Sequence, residues 1–155
     1  MKKRDMLFAA ISVQDKPCVI IGGGQVAYRK AKKLVKCGAL VSAIAPSFTD
    51  ELSAMAERGE ISVQKRRYER GDIKGAYMAV IATNDTAVNM LALNEAKEQN
   101  ILINAAFDKR YGNIFFVATK EVDGFTVSAM GKDFSPKESL DFLDEICKKL
   151  STEDL

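Results

Sequence analysis

Between Pro17 and Ala106 the chain alternates two hydrophobic rhythms. Short apolar runs, closed by glycine, proline or polar residues, are followed by stretches whose apolar positions recur at helical spacing. "PCVIIGG" is a continuous apolar run ending in glycines, the pattern of a strand buried on both faces of a parallel sheet. Gln25 to Cys37 then reads as a helix, with Val26, Ala27, Ala31, Leu34 and Val35 at helical spacing and Gly38 as its stop. "ALVSAIAP" predicts a second strand closed by Pro46, "SFTDELSAMAERGE" a short helix, and "ISVQKRRY" a more exposed strand. "AYMAVIATN" predicts another buried strand; Asn84 or Asp85 caps a helix running to Gln99, and "NILINAA" adds one more strand. Strand and helix alternating over short connections imply parallel strands, right-handed crossovers and an α/β doubly wound sheet of Rossmann type.

After Ala106 the pattern changes. "NIFFVATKEVDGFTVSAM" reads as two strands joined by an Asp123-Gly124 turn, a hairpin rather than a crossover. "SPKESLDFLDEICKKL" opens a helix, with Ser135 as N-cap, Pro136 at the first helical position and Glu138 completing a capping box. Leu140, Leu143, Ile146 and Leu150 form a narrow apolar stripe that needs a packing partner: the sheet's open face, a second subunit, or a helical domain. The expected organisation is a dinucleotide-binding domain over 1–112, then strands and a terminal helix over 113–155.

Composition narrows the function. Hydrophobic residues make up 47% and charged residues 28% of 155, an ordinary globular balance, and a net charge of +2 gives no argument for nucleic acid. The chain has no histidine and three scattered cysteines (Cys18, Cys37, Cys147), which excludes the usual His/Cys transition-metal sites and fits free thiols in a reducing cytoplasm. The N-terminus lacks a signal peptide's long apolar segment, and no run is long enough for a membrane span. The expected setting is therefore cytoplasmic.

Gly22-x-Gly24-x-x-Ala27 matches the dinucleotide fingerprint, with alanine in its third place. Gly22 serves the tight turn, Gly24 the close approach of a pyrophosphate, and Ala27 the packing of helix on strand. The free N–H groups near Gln25 and Val26 then face the phosphates. The acid expected about 20 residues on, for the adenosine ribose, is missing, because the second strand ends Ala45-Pro46-Ser47. No basic residue stands there to meet a 2′-phosphate either, so NAD is the expected cofactor. Thr83, Asn84 and Asp85 follow a strand at the carboxyl edge of the sheet, where they either line the nicotinamide ribose or only cap a helix. Basic runs on the first helix (Arg29 to Lys36) and at Lys65 to Arg70 form either a solvated face or a positive field for a polyanionic ligand.

"VIIGGGQVAYRKAKKLVKCGALVSAIAPSF", "AYMAVIATNDTAVN" and "ILINAAFDKRYGNIFF", in this order and spacing, resemble the precorrin-2 dehydrogenase/sirohydrochlorin ferrochelatase family, the siroheme-synthase N-terminal module. The resemblance runs from Met6 to Ser135. It implies NAD-dependent oxidation of precorrin-2 to sirohydrochlorin in siroheme biosynthesis, and in many members insertion of ferrous iron. It also implies a homodimer, joined through the strands after the Rossmann domain and a C-terminal helical region. By position it places Gln25 and Val26 at the cofactor phosphates, Pro46 and Ser47 at the adenosine ribose, and Thr83, Asn84 and Asp85 beside the nicotinamide half. Asn104 opens the loop that carries the family's catalytic aspartate. The polycarboxylate tetrapyrrole substrate would give the basic runs a purpose.

Two positions depart from that family. Its N-V-V-D motif reads Asn104-Ala105-Ala106-Phe107 here, with Asp108 one place later. A one-residue shift on an extended segment turns a side chain to the other face, so Asp108 replaces the carboxylate only if the chain leaves the strand there. Otherwise it is a surface turn residue. The glycine-rich loop S-x-G-G-x-S-P reads "SAMGKDFSP", longer and with Met130 for a glycine; Ser128 keeps the serine position and is the candidate substrate contact, or an ordinary strand-end hydroxyl. The chain ends about one helix later, so most of the family's helical domain is expected to be absent. The leading expectation is a precorrin-2 dehydrogenase. The alternatives are a non-catalytic dinucleotide- or tetrapyrrole-binding partner of another pathway enzyme, and a chelatase with little dehydrogenase activity.

Overall fold

The computed structural model describes residues 6–131 and 135–152. The chain divides into two compact units, with the division after Ile114.

The first unit holds a five-stranded parallel sheet in the order β3-β2-β1-β4-β5. Its strands are β1 (Pro17–Ile21), β2 (Leu40–Ala45), β3 (Ser62–Lys65), β4 (Met78–Ile81) and β5 (Leu102–Ala105). β1 is central and pairs with both β2 and β4, which is why Cys18 to Ile21 are all buried and the sequence there is continuously apolar. β3 is an edge strand with all four residues exposed. The helices are α1 (Gln25–Lys36), α2 (Asp50–Glu57) and α3 (Thr86–Glu98). α1 buries Ala27, Ala31 and Leu34 on one face and stops at Gly38, whose φ of +80° suits glycine. Thr49 caps α2 through its side chain, and Asp85 rather than Asn84 caps α3, accepting from the Ala87 and Val88 N–H groups. Ile21, Ile44, Ile81, Leu93 and Ile103 lie in one buried cluster, each stabilising the fold by about 1.5–3 kcal/mol.

The strict alternation expected from sequence fails once. Between β3 and β4 the chain crosses over as a loop, not a helix. Tyr68 and Ile73 are buried, and Gly71 (φ +106°) and Gly75 (φ +77°) turn the backbone. The arginines of the basic run pair with carboxylates of this segment and of α3 and its cap. Arg66 makes two 2.7 Å hydrogen bonds to Asp72, Arg70 pairs with Glu98, and Arg67 stands 3.8 Å from Asp85.

In the second unit, β6 (Ala118–Val122) and β7 (Phe125–Ala129) form an antiparallel hairpin. Asp123 (φ +47°) and Gly124 (φ +80°) both occupy the left-handed region, as a two-residue hairpin turn of type I′ demands. α4 (Pro136–Thr152) packs on this hairpin, so the terminal helix finds its partner within its own unit. The Glu138 N–H donates to Ser135 Oγ at 3.4 Å. The buried stripe differs from the expected one: Ser139, Leu143 and Cys147 are buried, whereas Leu140 and Phe142 are 43% and 56% exposed. The Leu150 side chain, and Lys132 to Phe134 of the "SAMGKDFSP" loop, lie outside the described residues.

No described helix is long and apolar enough to cross a membrane. Cys18, Cys37 and Cys147 form no disulfide, and burial pushes the Cys18 thiol up to about 11.

Candidate functional site

The parallel registers bring the ends of β1, β2, β4 and β5 to one edge of the sheet, and the strand order reverses between β1 and β4. Open α/β sheets hold their ligands at such a switch point. The glycine turn leaves β1 here. Gly22 has φ +133°, and a Cβ on it would lie 2.3 Å from the Ala82 carbonyl oxygen, so the exit of β4 rests directly against the turn. A Cβ on Gly23 would lie 1.9 Å from the Ser47 carbonyl oxygen, and the Gly23 carbonyl accepts the Thr49 N–H at 2.9 Å. The loop after β2, including exposed Pro46 and Ser47, is thereby held over the turn.

Gly24 is different. Its backbone is extended (φ −89°, ψ −173°), and a Cβ there would meet nothing within 4 Å. Neither backbone strain nor packing requires glycine at this position; the free space lies over the start of α1. That helix has no side-chain cap and no acid in its first turn, so its leading N–H groups stay open to an anion. Gln25 is exposed and Val26 is 38% exposed at the same end.

Beyond β4, Thr83 Oγ1 donates to Asn89 Oδ1 at 2.7 Å, and Asn89, buried on α3, donates from Nδ2 to the Thr83 carbonyl at 3.0 Å. This network fixes the loop that presents exposed Asn84. Asp85 spends one carboxylate oxygen on capping α3.

At the end of β5, Asn104 is buried and donates from Nδ2 to the Ile114 carbonyl at 2.9 Å, while its Oδ1 is buried without a hydrogen-bond partner. An orphaned buried acceptor is costly in a folded protein, about 1–3 kcal/mol, unless a ligand satisfies it. Phe107 packs against the hydrophobic cluster and stacks on Tyr111, with ring centroids 5.7 Å apart. Asp108 has left the strand, as the shifted motif required, but turns onto Arg110. It accepts from the Arg110 N–H at 2.9 Å and from the guanidinium at 2.5–3.0 Å, and these bonds hold its carboxyl down to about 2.

A depressed carboxylate pKa adds stability that is present above its unfolded value and is lost as pH falls through about 2. Asp108 therefore stays ionised over the whole working range. Carboxyl NMR is expected to show no titration of Asp108 above pH 3.5, and R110A to move its midpoint up toward the ordinary value of about 3.9. A wild-type midpoint near 4 would mean that the pair does not persist in solution.

Ser128 stands on β7 of the second unit, exposed, its hydroxyl 3.4 Å from Thr119 Oγ1. On α1, Arg29, Lys32, Lys33 and Lys36 are exposed, while burial first and then Lys33 and Arg29 lower the Lys30 ammonium to about 8. Among the described residues no cluster of His, Cys, Asp or Glu is grouped to hold a metal. Sequence reasoning missed two residues at this edge. Gly23 sits in a variable place of the fingerprint, and its only signal was a third glycine more than the motif needs. Glu51, in the first turn of α2, accepts from Gln25 Nε2 at 3.0 Å and brings a carboxylate to the rim that β2 itself lacks.

Several known proteins resemble this chain in sequence or in fold. A protein-family model described as NAD(P)-binding matches residues 9–118. The precorrin-2 dehydrogenase of Bacillus subtilis (strain 168) is 31% identical over 143 residues, which is 92% of this chain and 88% of that one. The siroheme synthases of Nitrosococcus oceani and Chromobacterium violaceum are 33% and 37% identical over 65% and 63% of this chain. This chain spans only about a fifth of those two proteins, 22% and 21% of their lengths. The solved structure of SirC, a precorrin-2 dehydrogenase, shares the fold at a TM-score of 0.81 and 22% identity, covering 93% of this chain and 71% of its own. With its open glycine turn at the switch point and a relative matched nearly end to end, the chain belongs to the NAD(P)-binding family of precorrin-2 dehydrogenases and siroheme synthases.

Proposed function

We propose that this protein oxidises precorrin-2 to sirohydrochlorin with NAD⁺, in siroheme biosynthesis. The observation that carries the reading is the free space over Gly24 at the uncapped start of α1, in a chain 31% identical to a precorrin-2 dehydrogenase over 92% of its length. The N–H groups of Gln25 and Val26 would hold the cofactor phosphates, helped by the helix dipole. The loop at Pro46 and Ser47 would cover the adenosine ribose. Thr83, Asn84 and Asp85 would border the nicotinamide half, and Asn104 Oδ1, lacking a partner, is suited to accept an N–H from it. When bound, NAD⁺ supplies a hydride acceptor; one hydride and one proton leave the macrocycle, giving NADH, H⁺ and sirohydrochlorin.

The proton is the weaker half of the design. Phe107 accepts none, and Asp108, paired with Arg110, is a poor base. Loss of a positioned base costs about 10²–10⁴-fold in rate and leaves the contribution of positioning. Asp108 acts as base in this reading once Arg110 is drawn to a substrate carboxylate. Iron insertion must remove two pyrrole protons and leans harder on a base, so the site favours oxidation over chelation. By the family resemblance Ser128 would contact substrate, and the hairpin and α4 would join a homodimer. Three cysteines without a disulfide suit a cytoplasmic setting.

The test is anaerobic NADH formation from precorrin-2 and NAD⁺, beside equilibrium binding of NAD⁺. Turnover above a protein-free control is expected. G24A is expected to keep the fold yet weaken NAD⁺ binding at least tenfold, about 1.4 kcal/mol. Binding without turnover would favour the non-catalytic partner reading instead, with Phe107 as its cause. Unchanged binding by G24A would remove the glycine turn from the cofactor site.

A further inference from the structure

β2 ends without the acid that usually holds the adenosine ribose in a dinucleotide fold. The fold brings another carboxylate to the same rim. Two backbone contacts and one side-chain cap fix the first turn of α2 beside the glycine turn. The Thr49 N–H donates to the Gly23 carbonyl at 2.9 Å, the Ser47 carbonyl occupies the space a Gly23 Cβ would need, and Thr49 Oγ1 accepts the Leu52 N–H at 3.4 Å. Glu51 projects from that turn to Gln25, the first residue of α1, whose Nε2 donates to its Oε1 at 3.0 Å. A carboxylate thus stands beside the N-terminal turn where the phosphates would lie, and among the described residues no cation is paired with it.

We propose that Glu51 is the specificity-determining residue for the cofactor, accepting hydrogen bonds from the adenosine ribose hydroxyls of NAD⁺ and repelling the 2′-phosphate of NADP⁺. The inference rests on the cofactor reading above. A ribose with free 2′- and 3′-hydroxyls offers two donors to a carboxylate, which only accepts. A phosphate offers only negative charge, and like charges brought together at a site disfavour the wrong ligand. Gln25 has a positioning role: its hydrogen bond, ahead of those from the Glu51 N–H and the Thr49 hydroxyl, keeps the Glu51 carboxyl below its usual range and so ionised. The simpler role for Glu51 is to complement the dipole at the start of α2, together with Asp50.

The two roles separate in a binding experiment. NAD⁺ and NADP⁺ affinities are measured for wild type, E51Q, E51R and D50N, with melting temperatures as a check on folding. Wild type is expected to prefer NAD⁺. E51Q is expected to lower the NAD⁺/NADP⁺ preference at least tenfold, E51R to favour NADP⁺, and D50N to leave the ratio unchanged. A dipole role would leave the ratio fixed in all four proteins. A ratio in folded E51Q and E51R within twofold of wild type overturns the proposal while leaving the cofactor reading intact. A wild type that binds neither dinucleotide overturns both.

Discussion

Alanine at Gly22 is expected to destabilise the parallel-sheet unit by about 3–5 kcal/mol, the sum of left-handed backbone strain and overpacking. At φ +133° a side chain is strained whatever the space around it, and its Cβ would sit 2.3 Å from a backbone oxygen, which cannot rotate away as a side chain can. Gly23→Ala meets the Ser47 carbonyl at 1.9 Å and must lift the loop after β2, breaking the Thr49 N–H bond to Gly23. Its cost is overpacking plus that bond, about 2–4 kcal/mol. Gly24→Ala meets nothing within 4 Å in an extended conformation, so it costs at most about 1 kcal/mol from the poorer N-cap. Urea unfolding midpoints at unchanged m-value measure all three. Equal losses across the three glycines would contradict the close approaches described at Gly22 and Gly23. The contrast also separates architecture from recognition, because only Gly24 is free of the fold's own demands.

The second large effect is expected away from the site, at Glu95. This residue is 1% exposed on α3 and gathers donors from a distant stretch of chain: the Tyr68 hydroxyl at 2.5 Å and the Gly71 N–H at 2.9 Å, with Gln99 Nε2 at 2.8 Å. Burial first, and then this bond, raises the Tyr68 phenol above its usual range, so it remains a donor. E95A leaves the buried Tyr68 hydroxyl without an acceptor and releases the Gly71 N–H from its carboxylate, an expected loss of about 2–4 kcal/mol and a fall in Tm of roughly 10 °C. Y68F removes one donor together with its demand and is expected to cost only about 1 kcal/mol. Limited proteolysis should cut E95A first within 66–75, since the loop loses its anchor. An E95A no weaker than Y68F would show that Glu95 is replaceable by solvent there.

The two cases explain what the sequence made legible. β1, β2, β4 and β5 announced themselves because their mostly buried runs are largely apolar, broken only by Ser42 in β2 and Asn104 in β5, and β3 read as exposed because polar residues flank Val63 and all four positions face solvent. The fingerprint glycines were readable because backbone geometry selects them locally. The β3–β4 crossover was not. Its polar residues look like a solvated basic run until Asp72, Glu95, Glu98 and Asp85 are brought to them, and three of those four lie on or beside α3. On α4 the apolar stripe was right at Leu143 and misled at Leu140, because small Ser139 and Cys147 are buried while larger Leu140 and Phe142 remain exposed. Glu51 escaped notice because the template looks for an acid at the end of β2, and the fold supplies one from the following helix.

Phe107 adds a historical consequence. Its ring is part of the support beneath the sheet's edge, packed on the buried cluster and stacked on Tyr111. Restoring the aspartate that the family resemblance places there would strip those contacts and set a charge against an apolar surface before any gain in proton transfer could be felt. Such an exchange is entered more easily than it is reversed. Base strength is expected to be gained more readily through neighbours such as Asp108 and Arg110, by adjusting a surface pair, than by removing a half-buried ring from its packing.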